Sequence, residues 1–68
     1  MINIAIIGAG KIAAVHADAV RRCERTNLTW ITNRTIEKAR VIAGPGVKVS
    51  TDAYEAINAP DVDAVIIT

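Results

Sequence analysis

Apolar residues in this chain come in short runs, broken by glycine and polar positions, and their spacing changes from run to run. Asn3 to Ile7 reads NIAII, β-branched and apolar at nearly every position. A strand without a polar face is one buried on both sides, as in a parallel sheet. From Lys11 to about Arg25 the spacing becomes helical: Ile12, Val15, Ala19 and Cys23 fall on one stripe, and Asp18, Arg21, Arg22 and Arg25 on another. Asp18 can pair with Arg22 one turn later, and arginines near a helix C-terminus suit its dipole.

Leu28 to Thr32 (LTWIT) predicts a second strand. Thr35 can cap a helix from Ile36 to about Ala43, which Gly44 ends. Gly44-Pro45-Gly46 is a turn, and Val47 to Ser50 a short third strand. Asp52, three residues before Glu55, opens a short helix through about Asn58 in the manner of a capping box. After Pro60, Val62 to Thr68 (VDAVIIT) predicts a fourth strand. The order βαβαβαβ implies an α/β fold of parallel strands joined by right-handed crossovers. In a doubly wound, Rossmann-like sheet the strand order is 3-2-1-4, with the first two helices on one face and the third on the other. The AVIIT run is too uniformly apolar for a solvated edge strand, so further chain is expected to cover it.

Composition narrows the picture. The chain has 68 residues, 51% hydrophobic and 22% charged, which suits one small folded unit with a marginal core. Trp30 and Tyr54 are the only aromatic residues, so Ala, Val and Ile must fill that core. A net charge of +1 without a dense Lys/Arg tract gives no field for nucleic acid. No apolar run approaches the length of a membrane span, and no secretory leader is apparent. Cys23 is alone, which excludes an intrachain disulfide and is consistent with the reducing cytoplasm.

The candidate chemistry sits where the first strand hands over to the first helix. Gly8-Ala9-Gly10-Lys11-Ile12-Ala13 fits G-x-G-x-x-A, the dinucleotide fingerprint with Ala in the third small position. Gly8 allows a tight turn, Gly10 lets a pyrophosphate approach the backbone, and Ala13 lets the helix pack close to the sheet. The helix N-terminus offers unpaired N–H groups and the positive end of its dipole.

About 20 residues further on, a site for NAD usually carries an acidic side chain for the ribose diol. Here the residue is Asn33, followed by Arg34 and Thr35. Asn33 removes the charge that would repel a 2′-phosphate, and Arg34 can grip that phosphate or stack on adenine. Thr35 adds a hydroxyl and Lys38 a second positive charge. These residues favour NADP, with NAD as the alternative, and they count against FAD. Asn33 and Thr35 can equally serve as helix caps, and Asn33 can still bond a 2′-hydroxyl.

Other residues read as structural. His16 is expected half-buried on the first helix and Cys23 in the core. Trp30 is expected beneath a helix, Tyr54 on a helix surface, and Asp61 and Asp63 as solubilising turn residues. No ligand set for a metal is apparent. Thr68 lies at the C-terminal end of the fourth strand, where cofactor pockets of doubly wound sheets open, and is a further candidate contact.

Four stretches in order, IAIIGAGKIAAVHADAV, NRTIEKA, STDAYEAI and PDVDAVIIT, resemble the N-terminus of the Gfo/Idh/MocA family, the glucose-fructose oxidoreductase and inositol dehydrogenase group. The resemblance covers the whole chain. It implies an oxidoreductase that moves a hydride between NAD(P) and a hydroxyl or carbonyl carbon, commonly of a sugar or polyol. By position, Gly8, Ala9, Gly10, Lys11 and Ile12 would hold the pyrophosphate, and Asn33 and Arg34, assisted by Lys38, the adenosine ribose or its phosphate. Many relatives carry Asp where this chain has Asn33. Family members are several times longer, and their catalytic Lys, in a Glu-Lys-Pro motif, and their substrate domain have no counterpart here. Residues 1–68 are thus expected to form the N-terminal portion of a dinucleotide-binding domain, with no catalytic residue of their own. The alternatives are a stand-alone binding or sensing module, self-associating through its fourth strand, and an interaction fragment that keeps the fold without ligand affinity.

Overall fold

The computed structural model describes all residues, Met1–Thr68. Seven elements alternate along the chain: β1 (Ile2–Ile7), α1 (Lys11–Arg22), β2 (Thr26–Thr32), α2 (Ile36–Ala43), β3 (Lys48–Ser50), α3 (Ala53–Ile57) and β4 (Ala64–Ile67). The strands form one parallel sheet in the order β3-β2-β1-β4. This is the α/β doubly wound arrangement that the alternation predicts.

In a parallel ladder, partners in register share a face, which fixes the two sides of the sheet. Ile6 lies opposite Ile31 and Ile66, and Ile31 opposite Val49. These side chains face α1 and α2 in a single core with Ala13, Ala17, Val20, Ala39 and Ala43. Ile6 and Ile31 have no solvent exposure, and burying each contributes roughly 2 kcal/mol. The helices contribute mostly alanine, which brings them close to the sheet.

The buried stripe of α1 is therefore Ala13, Ala17 and Val20. The expected stripe is turned outward instead, with Ile12 58% and Val15 63% exposed. Cys23 is also exposed, contrary to its core assignment. It takes an extended conformation after Arg22, and its N–H closes the helix on the Ala19 and Val20 carbonyls. The chain turns into β2 there, which is why α1 stops short of Arg25.

β2 carries an irregularity that sequence periodicity does not reveal. Ile4 pairs with Leu28, but Ala5 pairs with Trp30, leaving Thr29 without an opposite number. The Thr29 hydroxyl donates to the Ile4 carbonyl at 3.3 Å. This bulge lets Leu28 and Ile31, three residues apart, both face the core.

The second face carries Ala5, Ile7, Trp30, Thr32, Val65 and Ile67. α3 covers part of it, burying Ala56, Ala5 and Thr32. Asp52 caps α3 by accepting from the Tyr54 amide at 3.0 Å, and the Asp52 amide donates to Ser50 Oγ rather than to Glu55. The exposed side chain of Tyr54 agrees with its placement on the helix surface. Trp30 is half-buried, with Lys48 Nζ 5.4 Å from its ring centroid. Lys48 also approaches Asp61 at 3.7 Å, and Asp63 accepts from the Asn3 amide at 2.8 Å. Both aspartates thus have partners on other strands, Lys48 on β3 and Asn3 on β1, in addition to the solubilising role expected of them. β4 is the open edge: Val65 is 38% and Ile67 74% exposed.

Candidate functional site

The four strands end together, and the glycine turn sits at that edge. Gly8 leaves β1 with φ +110°, a conformation that side chains rarely permit, and its N–H donates to the Thr32 carbonyl at 2.7 Å. Space is short as well. A Cβ built on Gly8 would stand 2.9 Å from the Thr68 carbonyl oxygen. Gly10 is a glycine for a different reason. Its backbone is ordinarily extended, at φ −84° and ψ −166°, and nothing lies within 4 Å of where its Cβ would point. Conformation does not demand glycine there, and the missing side chain leaves the backbone open to close approach.

Gly10 occupies the N-cap of α1, no side chain caps the helix, and its first turn has no acidic residue. It begins instead with Lys11, a cation at the positive end of the dipole, which is unfavourable unless an anion joins it. Open amides, a missing side chain and a lysine all fit a pyrophosphate.

Two cavities flank this turn. One, of about 340 Å³, is lined by Ile7, Gly8, Thr32, Asn33, Arg34, Thr51, Ala53 and Thr68. The other, of about 350 Å³, lies between α1 and α2 and includes Ala9, Gly10, Lys11 and Lys38. The structure thus brings Gly8, Asn33, Arg34 and Thr68 together, and separately gathers Ala9, Gly10, Lys11 and Lys38. Ile12 and Thr35 line neither cavity. Thr35 holds the N-cap of α2 without making a side-chain cap bond. Thr68 Oγ1 is directed to the Ile7 carbonyl at 3.3 Å, and its N–H bonds the same oxygen at 2.9 Å.

Thr51 and Ala53 line the first cavity, and sequence reasoning missed both. The signal was available, since Thr51 is the first residue beyond β3 and strand C-termini open onto the ligand crevice. Asn33 and β3 are tied together, because the Asn33 amide donates to the Ser50 carbonyl at 3.1 Å. His16 is half-buried on α1, away from both cavities. No group of three or more His, Cys, Asp or Glu side chains is placed to hold a metal ion. No helix is long and apolar enough to cross a membrane.

Comparison with known proteins follows the same lines. The Gfo/Idh/MocA oxidoreductase family, NAD-binding Rossmann fold, matches residues 2–68. Inositol 2-dehydrogenase of Rhodococcus jostii is 38% identical over 97% of this chain, which spans 19% of that relative's length. Among solved structures, GenD2 of gentamicin A biosynthesis, in complex with NAD, superposes with a TM-score of 0.92 at 26% identity, over 98% of this chain and 20% of its own. A variant of KijD10, a 3-ketoreductase of Actinomadura kijaniata in complex with NADP, gives 0.86 at 26% identity, over 97% and 22%. On fold, glycine turn and family match alike, this chain belongs to the Gfo/Idh/MocA oxidoreductases and forms an NAD-binding Rossmann fold of that family.

Proposed function

We propose that this chain supplies the dinucleotide-binding part of an oxidoreductase acting on a sugar or polyol, and that it favours NADP over NAD. The observation that carries the reading is the glycine turn: an uncapped α1 N-terminus led by Lys11, beside a cavity walled by Asn33 and Arg34. The bound nicotinamide would supply or accept the hydride at a hydroxyl or carbonyl carbon of the substrate. The residues of this chain bind and orient. Gly8, Ala9, Gly10, Lys11 and Ile12 would seat the pyrophosphate through backbone amides and one positive charge. Asn33 and Arg34 would meet the adenosine ribose, with Thr35 and Lys38 nearby and Thr68 at the edge of the turn. Arg34 is exposed and free to offer its guanidinium to a 2′-phosphate. No residue among the 68 is assigned to hydride transfer, and in a longer parent that chemistry belongs to the remaining chain. The lone exposed Cys23 suits a reducing cytoplasm.

Calorimetric titration with NADPH and NADH, on the chain and on Arg34→Ala, tests the reading. Tighter binding of NADPH, weakened at least about ten-fold by the substitution, is expected from losing a charge-assisted contact. Equal binding of NADH and NADPH, indifferent to Arg34, overturns the preference for NADP. Binding of neither overturns a self-sufficient site.

A second reading is favoured by β4 alone. Its open edge and the exposed side chains of Val65 and Ile67 suit a non-catalytic module that pairs with another copy of itself. Sedimentation equilibrium distinguishes the two, because such a module would be dimeric at micromolar concentration and Ile67→Lys would make it monomeric.

A further inference from the structure

A third cavity lies at the opposite end of the sheet from the glycine turn, where the strands begin. It holds about 240 Å³ and is lined by Arg21, Thr26, Asn27, Leu28, Pro45 and Val47. The topology leaves this space open. β2 starts at Thr26, but its ladder with β3 begins only where Trp30 meets Lys48. Between the first residues of β2 and the turn at Pro45 there is no strand to fill the gap.

Arg21 reaches the cavity from the last turn of α1, already held in place. Its Nη2 donates to the Ile42 carbonyl at 2.6 Å and to the Ala43 carbonyl, so the C-terminal end of α2 fixes the guanidinium. A guanidinium has five N–H donors, and these bonds use Nη2 alone. Nε and Nη1 donate to nothing in the chain. No carboxylate pairs with the group, since the two ion pairs join Arg22 to Asp18 and Lys48 to Asp61.

Asn27 is also half spent. One Nδ2 hydrogen meets Asn3 Oδ1 at 3.4 Å, and the other is free. The Thr26 hydroxyl is committed, donating to the Val20 carbonyl at 2.8 Å. Leu28, buried, and Val47, half-buried, supply apolar wall. The cavity thus combines a pinned positive charge, a free amide N–H and a little apolar surface, with no acidic side chain in its lining.

We propose that this cavity is a binding site for a small oxyanion, a carboxylate or a phosphate, held by the free N–H groups of Arg21 and by Asn27 Nδ2. It is separate from the dinucleotide reading and does not depend on it. An arginine loose on a surface loses side-chain freedom when it grips an anion, whereas Arg21 has already lost that freedom to α2. The volume falls below the roughly 300–1,000 Å³ of pockets for drug-sized ligands, which limits the occupant to a few heavy atoms around its anionic group.

The test is a titration of the isotope-labelled chain followed by heteronuclear NMR. Malonate is the carboxylate probe, inorganic phosphate the phosphate probe, and sodium chloride at matched ionic strength the control. At least one probe is expected to shift the amides of Thr26, Asn27, Leu28 and Val47 along one saturable curve, with a dissociation constant on the order of 1 mM. Which probe does so distinguishes the two sources of the anion. Asn27→Ala leaves the Arg21 bridge intact and is expected to weaken binding about five-fold, the worth of one hydrogen bond. Arg21→Lys is expected to weaken it about ten-fold or more, because an ammonium cannot hold two carbonyls and an anion in one fixed plane. Arg22→Ala should leave it unchanged, and the dispersion of each spectrum shows whether the variant is folded. Shifts that follow ionic strength alike for chloride and both probes overturn the proposal. So does a saturable curve that Asn27→Ala leaves unaltered. Shifts confined to Gly8 to Ala13 with both probes overturn it too, since they belong to the glycine turn.

Discussion

Thr68 closes over Gly8: its Oγ1 stands 2.5 Å from where a Cβ on Gly8 would be, and its carbonyl oxygen 2.9 Å. The residue that ends the sheet at β4 thus packs on the turn that leaves β1. Gly8→Ala meets two obstacles, the contact with Thr68 and the backbone at φ +110°. Together they are expected to cost on the order of 3 kcal/mol, read from urea denaturation. Adding Thr68→Ala should recover only a minor part, because it removes Oγ1 but neither the carbonyl nor the strain. Full recovery in the double variant would show that the side chain alone sets the requirement for glycine.

Arg21 joins the two helices of the main core. From α1 its guanidinium donates to the Ile42 carbonyl at 2.6 Å and to the Ala43 carbonyl, at the C-terminal end of α2. Those carbonyls have no intrahelical partners, and a cation there also meets the negative end of the dipole. Arg21→Ala is expected to destabilise the fold by about 1–2 kcal/mol. Arg22→Ala, which removes only the exposed pair with Asp18, is expected to cost less than about 0.5 kcal/mol. Similar losses from both, in parallel urea titrations, would refute the distinction.

The two helix caps should differ in the same assay. Asp52 accepts from the Tyr54 amide, so Asp52→Ala is expected to cost about 1 kcal/mol. Thr35 makes no such bond, and Thr35→Ala should fall within about 0.5 kcal/mol of the parent chain.

Cys23 gives a pH-dependent signal. The Arg25 amide first, then the Thr26 hydroxyl, hold its thiol below the ordinary value, against a smaller opposing effect of desolvation. The folded state therefore releases the proton more readily than the unfolded state. The resulting contribution to stability is present above the unfolded thiol's pKa and is lost as pH falls through the lower, folded value. Alkylation by iodoacetamide should show a midpoint at lower pH in the folded chain than in 6 M urea. Thr26→Val should raise the folded midpoint, and an unchanged midpoint would remove the hydroxyl from the account.

The order of elements, the parallel sheet and the glycine turn were all legible, because each rests on local chemistry that the chain displays openly. The buried stripe of α1 was not. Hydrophobic periodicity favours large side chains such as Ile12 and Val15, but a helix that packs tightly on a sheet buries small ones, and Ala13 and Ala17 carry little weight in such a count. The partners of Asp61 and Asp63 were hidden for a related reason: Lys48 and Asn3 lie far away along the chain and meet them only through the topology. Asn33 and Arg34, singled out by spacing, line one cavity in the structure. Thr51 was overlooked because a short strand gives a weak signal and its end is easily passed over. Asn33 Nδ2 donates to the Thr35 carbonyl at 3.1 Å, and this orientation of the amide belongs to the structure alone, since a bond to Thr35 and one from the helix it precedes look the same in sequence.

The extra residue at Thr29 makes the arithmetic of the chain elastic. One position is looped out of the ladder between Ile4 and Ala5, while everything after it stays in step with β1. The count from the glycines to Asn33 can therefore change by one without moving Asn33 in space. A relative with no counterpart of Thr29 would carry the residue equivalent to Asn33 one place earlier and hold it at the same point above the sheet. In such chains the residue that follows the second strand is located by counting back from the second helix, not forward from the glycines.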